Sequence, residues 1–298
     1  MIHTFFALIL SISVFASPRE EAADLLSKYQ QLEQIDVRMD AFSKGFLGLP
    51  YGVGGPLGEG KIGRFDQDPL YRFDTFDCTT FVETMVSLAL STDALTFERK
   101  MDEIRYENAH VDYFTRNHDP SLNWIPNNLK NGYFKELNSL ILPASERRMA
   151  EAEINLPGWL KSIKLEEIHV PEASDAERQN LLEELHGYAS QYQPVISRLE
   201  YLPINTLLIR AQVLKKIPNG TVVSFVRPNW DLTDSVGTHM NVSHQGLIFQ
   251  RKEGPILRHA SSSSEKRVME VPLYEYLKKF ENHPTLKGIH LLGVAQTL

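Results

Sequence analysis

The one cysteine of this 298-residue chain, Cys78, lies in the run Phe76-Asp77-Cys78-Thr79-Thr80-Phe81-Val82-Glu83. Apolar residues then recur at Phe81, Val82, Met85, Val86, Leu88 and Ala89. This spacing predicts an amphipathic helix that ends near Leu90 and carries Cys78 at its N-terminal edge. A thiol there meets unpaired backbone N–H groups and the positive end of the helix dipole, which lower its pKa and supply donors for an oxyanion. The alternative reading of a lone cysteine is a small buried core residue.

A cysteine nucleophile needs a base and a group that orients the base. Of ten histidines, two stand in strand patterns: His244, directly before Gln245-Gly246-Leu247-Ile248-Phe249, and His259, fifteen residues on. A hairpin at Arg251-Lys252-Glu253-Gly254-Pro255 would bring the two imidazoles together across paired strands. The order is then Cys78 as nucleophile, His244 as base and His259 as orienter. A competing arrangement is a zinc site made from His239, His244 and His259 with Asp231 or Asp234. Against it, the spacing matches no helical or adjacent-strand pair of ligands, and Gly237-Thr238-His239-Met240-Asn241 reads as a loop.

The elements that must position these groups follow from the rest of the chain. Residues 20–46 carry an apolar face at Leu25, Leu26, Tyr29, Leu32, Ile35, Met39 and Phe42, which predicts a helix across the cysteine region. Residues 47–60 hold six glycines and two prolines and must form a loop with several positive-φ positions. A second helical pattern covers 96–104. Residues 105–118 are dense in polar aromatics and, with Trp124, suit the wall of a polar groove or a solvated loop. Residues 144–198 are Glu-rich and read as a helical insertion with its strongest helix at 175–192. Strand patterns at 221–226, 245–250, 256–260, 267–271 and 288–294 read as antiparallel neighbours, so the fold class is α+β.

A formal charge of −7, without a Lys/Arg-rich stripe, argues against nucleic acid as a partner. Residues 2–16 form a short apolar run closing on Val14-Phe15-Ala16, the pattern of a secretory signal peptide, so 1–16 is expected to be a leader and 17–298 one domain with its insertion. Export places the mature chain in the periplasm or outside the cell, with no stable membrane insertion after cleavage. A single thiol there has no internal disulfide partner. The oligomeric state is left open.

Four landmarks, Pro50-Tyr51-Gly52-Val53-Gly54-Gly55, Asp77-Cys78-Thr79-Thr80-Phe81, Ser243-His244-Gln245-Gly246-Leu247-Ile248 and His259-Ala260-Ser261, resemble those of the NlpC-type, papain-like cell-wall hydrolases. More narrowly, 77–83, 105–118 with Trp124, and Val242-Ser243-His244 are similar to the N-acetylmuramoyl-L-alanine amidase-like domain family, over roughly 46–294. The resemblance implies a papain-like core with its nucleophile at the N-terminus of a helix packed on an antiparallel sheet, plus a helical insertion. It also implies a cysteine hydrolase that cuts an amide in peptidoglycan or a muropeptide, with no cofactor and no metal. Cys78, His244 and His259 take the roles above, and Tyr51 joins the Cys78 N–H in polarising the scissile carbonyl. Asp77, Thr79, Arg116 and Trp124 are expected on the substrate, Arg116 against a stem-peptide carboxylate. The implied bond is lactyl–L-Ala; the alternatives are a stem-peptide bond after D-Glu, a zinc hydrolase, and a wall-binding module without activity.

Overall fold

The computed structural model describes residues 17–52 and 55–295. The expected leader, and Val53 and Gly54 of the glycine run, lie outside the described residues. Among those described, no helix is long and apolar enough to cross a membrane.

Helix Cys78–Ala89 starts at Asp77, whose carboxylate accepts the Thr80 N–H at 2.7 Å, while the Thr80 hydroxyl accepts the Asp77 N–H at 3.0 Å. This reciprocal cap satisfies two of the donors that a helix start leaves open. At the other end Arg38 donates to the carbonyls of Leu88 and Ser91, a cation at the negative end of the dipole. The helix is not amphipathic as expected: every residue from Thr80 to Ala89 is buried, the polar Thr80, Glu83, Thr84 and Ser87 included. It is the central helix of the molecule. Each of Phe81, Val82, Met85, Val86 and Leu88 contributes about 1.5–3 kcal/mol by leaving water.

Around it packs an eight-stranded antiparallel sheet: β1 Phe134–Glu136, β2 Arg148–Ile154, β3 Val195–Pro203, β4 Thr221–Leu232, β5 Thr238–Phe249, β6 Ile256–Ser261, β7 Arg267–Pro272 and β8 Gly288–Val294. The order is β2-β3-β8-β4-β5-β6-β7, with β1 also on β8. One face holds the cysteine helix through Val222, Val226, Val242, Leu247, Phe249 and Leu292. The other holds helices Ile204–Ile209 and Leu273–Lys278 through Val223, Phe225, Ile248, Leu257, Ile289 and Leu291.

Three expectations are corrected. Residues 20–46 form two helices, Pro18–Lys28 and Ile35–Gly45, because the chain folds back to set the Tyr29 ring edge-on against Phe42 at 5.0 Å. The insertion is not wholly helical: β2 and β3 pair along its two ends, and between them lie helices Leu156–Ser162 and Asp175–Tyr188. Ala150, Ala152 and Ile154 point inward in alternation with Glu151 and Glu153, so the strand period was hidden by the glutamates. Residues 238–241 are strand, not loop. Past a bulge at Phe225 and Val226, β4 and β5 run on as a ribbon. Asn241 holds this ribbon: its side chain accepts the Asn229 N–H at 3.2 Å and donates to the Ser197 carbonyl at 3.2 Å.

The glycine-rich segment is stitched in by backbone bonds at both edges. Tyr51 N–H donates to the Lys266 carbonyl at 2.8 Å, and Gly52 N–H to Phe76 at 2.9 Å. Deeper in, Arg105 donates to Glu83 at 2.8 Å and to the Leu57 carbonyl at 2.6 Å, while Trp124 Nε1–H donates to the other Glu83 oxygen at 2.9 Å. Removing one member of a buried ion pair strands the other charge and costs about 3–5 kcal/mol. We therefore expect Arg105→Met to lose about that much in urea denaturation, and the double variant with Glu83→Gln to regain at least half of it. A single-variant loss below about 1 kcal/mol, the range of a surface pair, would show that the pair does not hold the core.

Candidate active site

The cysteine helix and the β5–β6 hairpin bring the chemistry together. Register places Leu247 opposite Arg258 and Ile248 opposite Leu257, so Gly246 and His259 are neighbours and His244 lies one diagonal step away on the same face. His244 Nε2 and His259 Nδ1 are 2.6 Å apart. The expected hairpin and the expected histidine pair are thus both present. Gly246 makes room for the pair: a Cβ there would lie 2.8 Å from Leu257 Cδ1 and 3.0 Å from His259 Cβ.

The thiol of Cys78 is half-buried at the helix start. Burial pushes it up to about 12, with the charge of Asp77 adding to the shift; the backbone N–H of Gln245, next to His244, and the Thr79 hydroxyl at 3.9 Å pull the other way. The lowered pKa expected from the helix dipole is therefore overridden by desolvation. Burial likewise lowers His244 to about 3, helped by His259, and His259 to about 4. Burial thus favours the uncharged form of the thiol and of both imidazoles. Tyr51 is half-buried and its hydroxyl is raised by burial first, then by Cys78 and Asp77, which places it near the thiol.

Tyr276, on helix Leu273–Lys278, was not foreseen. Its ring meets His259 edge-on at 5.4 Å, and burial raises its hydroxyl, as does the nearby Cys78. The run Leu273-Tyr274-Glu275-Tyr276 gave no hint of this, since only the helix that follows β7 directly brings the ring to the histidines. Gln245 was also missed as a contact: its side-chain oxygen accepts from Thr79 at 3.0 Å and its amide donates to Ser224 at 3.1 Å, locking the helix start to β5.

The four residues expected on the substrate are otherwise engaged. Asp77 is the helix cap and Thr79 the tie to Gln245. Trp124 is fully buried, bonded to Glu83, and so belongs to the core rather than to a groove wall. Arg116 donates to Glu59 at 2.7 Å and to Asp66 at 2.8 Å, two buried carboxylates that already neutralise it. The 105–118 segment packs against the insertion, Phe65 meeting Tyr113, Phe114 and Tyr188 edge-on. With His118, Trp159 and Tyr192 it surrounds an aromatic pocket of about 120 Å³ away from the histidine pair.

The three histidines of the zinc reading are not gathered: His239 lies with Asp231, 3.7 Å away, on the β4–β5 ribbon. Among the described residues, one trio offers ligand atoms close together, Asp66, Asp68 and His169. Its groups are in use, His169 between Asp68 at 2.6 Å and the Glu166 carbonyl at 3.0 Å, and Asp66 on Arg116.

A mixed α+β fold with an antiparallel sheet, arranged in this way, is that of amidase structures. A crystal structure of an N-acetylmuramoyl-L-alanine amidase from Bacteroides uniformis superposes with a TM-score of 0.62 at 23% identity, covering 88% of this chain and 99% of that one. Protein LPG0564 from Legionella pneumophila str. Philadelphia 1 superposes at 0.88 with 32% identity, covering 93% and 94%. The chain belongs to the AmiA-like family, described as N-acetylmuramoyl-L-alanine amidase-like, which it matches over residues 41–286. No curated protein sequence matches it.

Two outcomes test the geometry. Gly246→Ala should cost about 1–3 kcal/mol by overpacking and abolish the downfield imidazole N–H resonance of the histidine pair; a retained resonance would show that the strands yield instead. At pH 8, iodoacetamide should alkylate Cys78 on the order of 10²–10³-fold more slowly than free cysteine, because the raised pKa leaves little thiolate. The rate should then climb with pH toward 11, and a rate flat above pH 8 would mean that the thiolate is already present.

Proposed function

We propose that the chain is a cysteine-dependent amidase that hydrolyses the N-acetylmuramoyl-L-alanine bond of peptidoglycan, acting outside the cytoplasm after removal of its leader. The observation that carries this reading is the 2.6 Å contact of His244 Nε2 with His259 Nδ1, on a strand whose next residue, Gln245, accepts at 3.0 Å from Thr79, the neighbour of Cys78. Nucleophile, base and orienter thereby follow one another in the order that acyl transfer needs. The family description, N-acetylmuramoyl-L-alanine amidase-like, supports the choice of substrate class.

With Nε2 of His244 committed to His259, its Nδ1 is the nitrogen free to accept a proton. That assignment makes His244 Nε2–H the donor and leaves His259 with its own proton on Nε2, an atom that is buried and lacks a partner. In the first step the thiol proton passes to His244 Nδ1 as sulfur attacks the lactyl carbonyl carbon. The oxyanion meets the Cys78 N–H and the Tyr51 hydroxyl. The imidazolium then protonates the L-Ala nitrogen, the C–N bond breaks and the peptide leaves. Water, losing its proton to His244, attacks the thioester; the lactyl carboxylic acid leaves and the thiol is restored. Because thiol and imidazole both rest neutral, proton transfer accompanies attack and does not precede it.

Mass spectrometry of defined muropeptides is the direct test. Wild-type protein should release a lactyl acid and an N-terminal L-Ala peptide, whereas cleavage after D-Glu would replace this reading by the endopeptidase one. Cys78→Ala and His244→Ala should each lose at least about 10³-fold in rate with unchanged circular dichroism, and His239→Ala should remain active. Persistence of activity in Cys78→Ala would sink the thiol mechanism, and loss with a chelator, restored by zinc, would favour a metal site instead.

A further inference from the structure

Among the described residues every arginine has a carboxylate partner except Arg38, Arg148 and Arg227. Arg38 is spent on carbonyls at the end of the cysteine helix, and Arg148 donates to the carbonyls of Ser145 and Arg147. Arg227 alone of the three lines the cleft of about 410 Å³ onto which His244, His259 and Tyr276 open.

Its placement is fixed by neutral groups. Nε–H donates to Ser243 Oγ at 2.9 Å, Nη1 reaches Thr285 Oγ1 and lies 3.4 Å from His283 Nδ1, and the guanidinium sits 4.7 Å over the Trp230 ring. Nη2 has no protein partner, and it is not among the buried polar atoms. A guanidinium thus stands one residue from the base, held in orientation but not neutralised. Lys279 is exposed at the same cleft, and among the described residues no Asp or Glu lines it, in a chain whose net charge is −7.

We propose that Arg227, aided by Lys279, binds a carboxylate of the stem peptide and so makes the cleft the site of the leaving peptide. This rests on the amidase reading for its choice of substrate. In a muramoyl peptide the lactyl acid is consumed in the scissile amide, so the negative charges of that substrate lie on the peptide that departs. A cleft with two cations and no anion complements that half and not the neutral sugar. Arg116, sealed between Glu59 and Asp66, does not serve this role; Arg227 does, with a planar fork suited to a carboxylate.

The test is calorimetric binding of N-acetylmuramoyl-L-alanyl-D-glutamate and of its neutral diamide to the Cys78→Ala protein, which does not consume them. The acid should bind about 10–100-fold more tightly than the diamide, the scale of a charge-assisted hydrogen bond. In the Arg227→Gln background, which keeps donors for Ser243 and Thr285, the ratio should fall toward one; Arg227→Lys should keep part of it. Since the ratio is read within each protein, partial unfolding does not imitate the result. A full preference in Arg227→Gln, or no preference with Arg227 in place, overturns the proposal. Turnover by the wild-type protein reports separately: an Arg227-dependent preference without cleavage of the acid would leave the carboxylate site standing and the amidase reading fallen.

Discussion

A carboxylate in the middle of a hydrophobic helix is the constraint on which this structure turns. Glu83, five residues beyond Cys78, is almost fully buried, and burial pushes its carboxyl up against the opposing charge of Arg105. Such a group is tolerable only when every lone pair is met, and here the partners come from two different segments, Arg105 and Trp124. Because the same guanidinium grips the Leu57 carbonyl, and the neighbouring Tyr106 hydroxyl donates to Gly58 at 3.0 Å, the glycine-rich segment is locked to the helix that carries the thiol. The helix that carries the thiol and the glycine-rich segment are thus tied together through a buried charge that has to be satisfied.

Electrostatics at the site itself runs the other way. Desolvation dominates Cys78, His244 and His259, so the groups that would exchange a proton rest uncharged. In the proposed mechanism charge separation would arise only when substrate is attacked, and the backbone N–H of Cys78 at the helix start would meet it. The guanidinium of Arg227, which has no carboxylate partner, lies in the cleft onto which His244 and His259 open.

Much of this was legible in the sequence. The helix start at Cys78, the hairpin between His244 and His259, and the strands from Thr221 onward follow from local patterns of apolar periodicity, alternation and turn residues. What local pattern misjudged was decided by tertiary context. A period of 3.6 at Phe81 to Ala89 describes one apolar face, yet helix and sheet enclose the other face too. The strand at Arg148–Ile154 alternates with glutamates that resemble a solvated helix, and a side-chain amide at Asn241 extends β5 where glycine and threonine suggest a loop. Arg116 and Trp124 had the right chemistry for a groove, but only the fold reveals that Glu59, Asp66 and Glu83 had claimed them.

The hydrogen bond from Tyr51 N–H to the Lys266 carbonyl also has a temporal meaning. It joins the glycine-rich segment to the turn that leads into β7, the strand that pairs with the one bearing His259. Segments more than two hundred residues apart must meet before the thiol has its neighbours, a contact of very high sequence separation and therefore slow to form. A ribosome delivers Cys78 long before His244 and His259. Throughout synthesis, and during any passage through a membrane in extended form, the chain carries an ordinary thiol with no partner, and hydrolytic competence would arise only once the last strands have closed on the first.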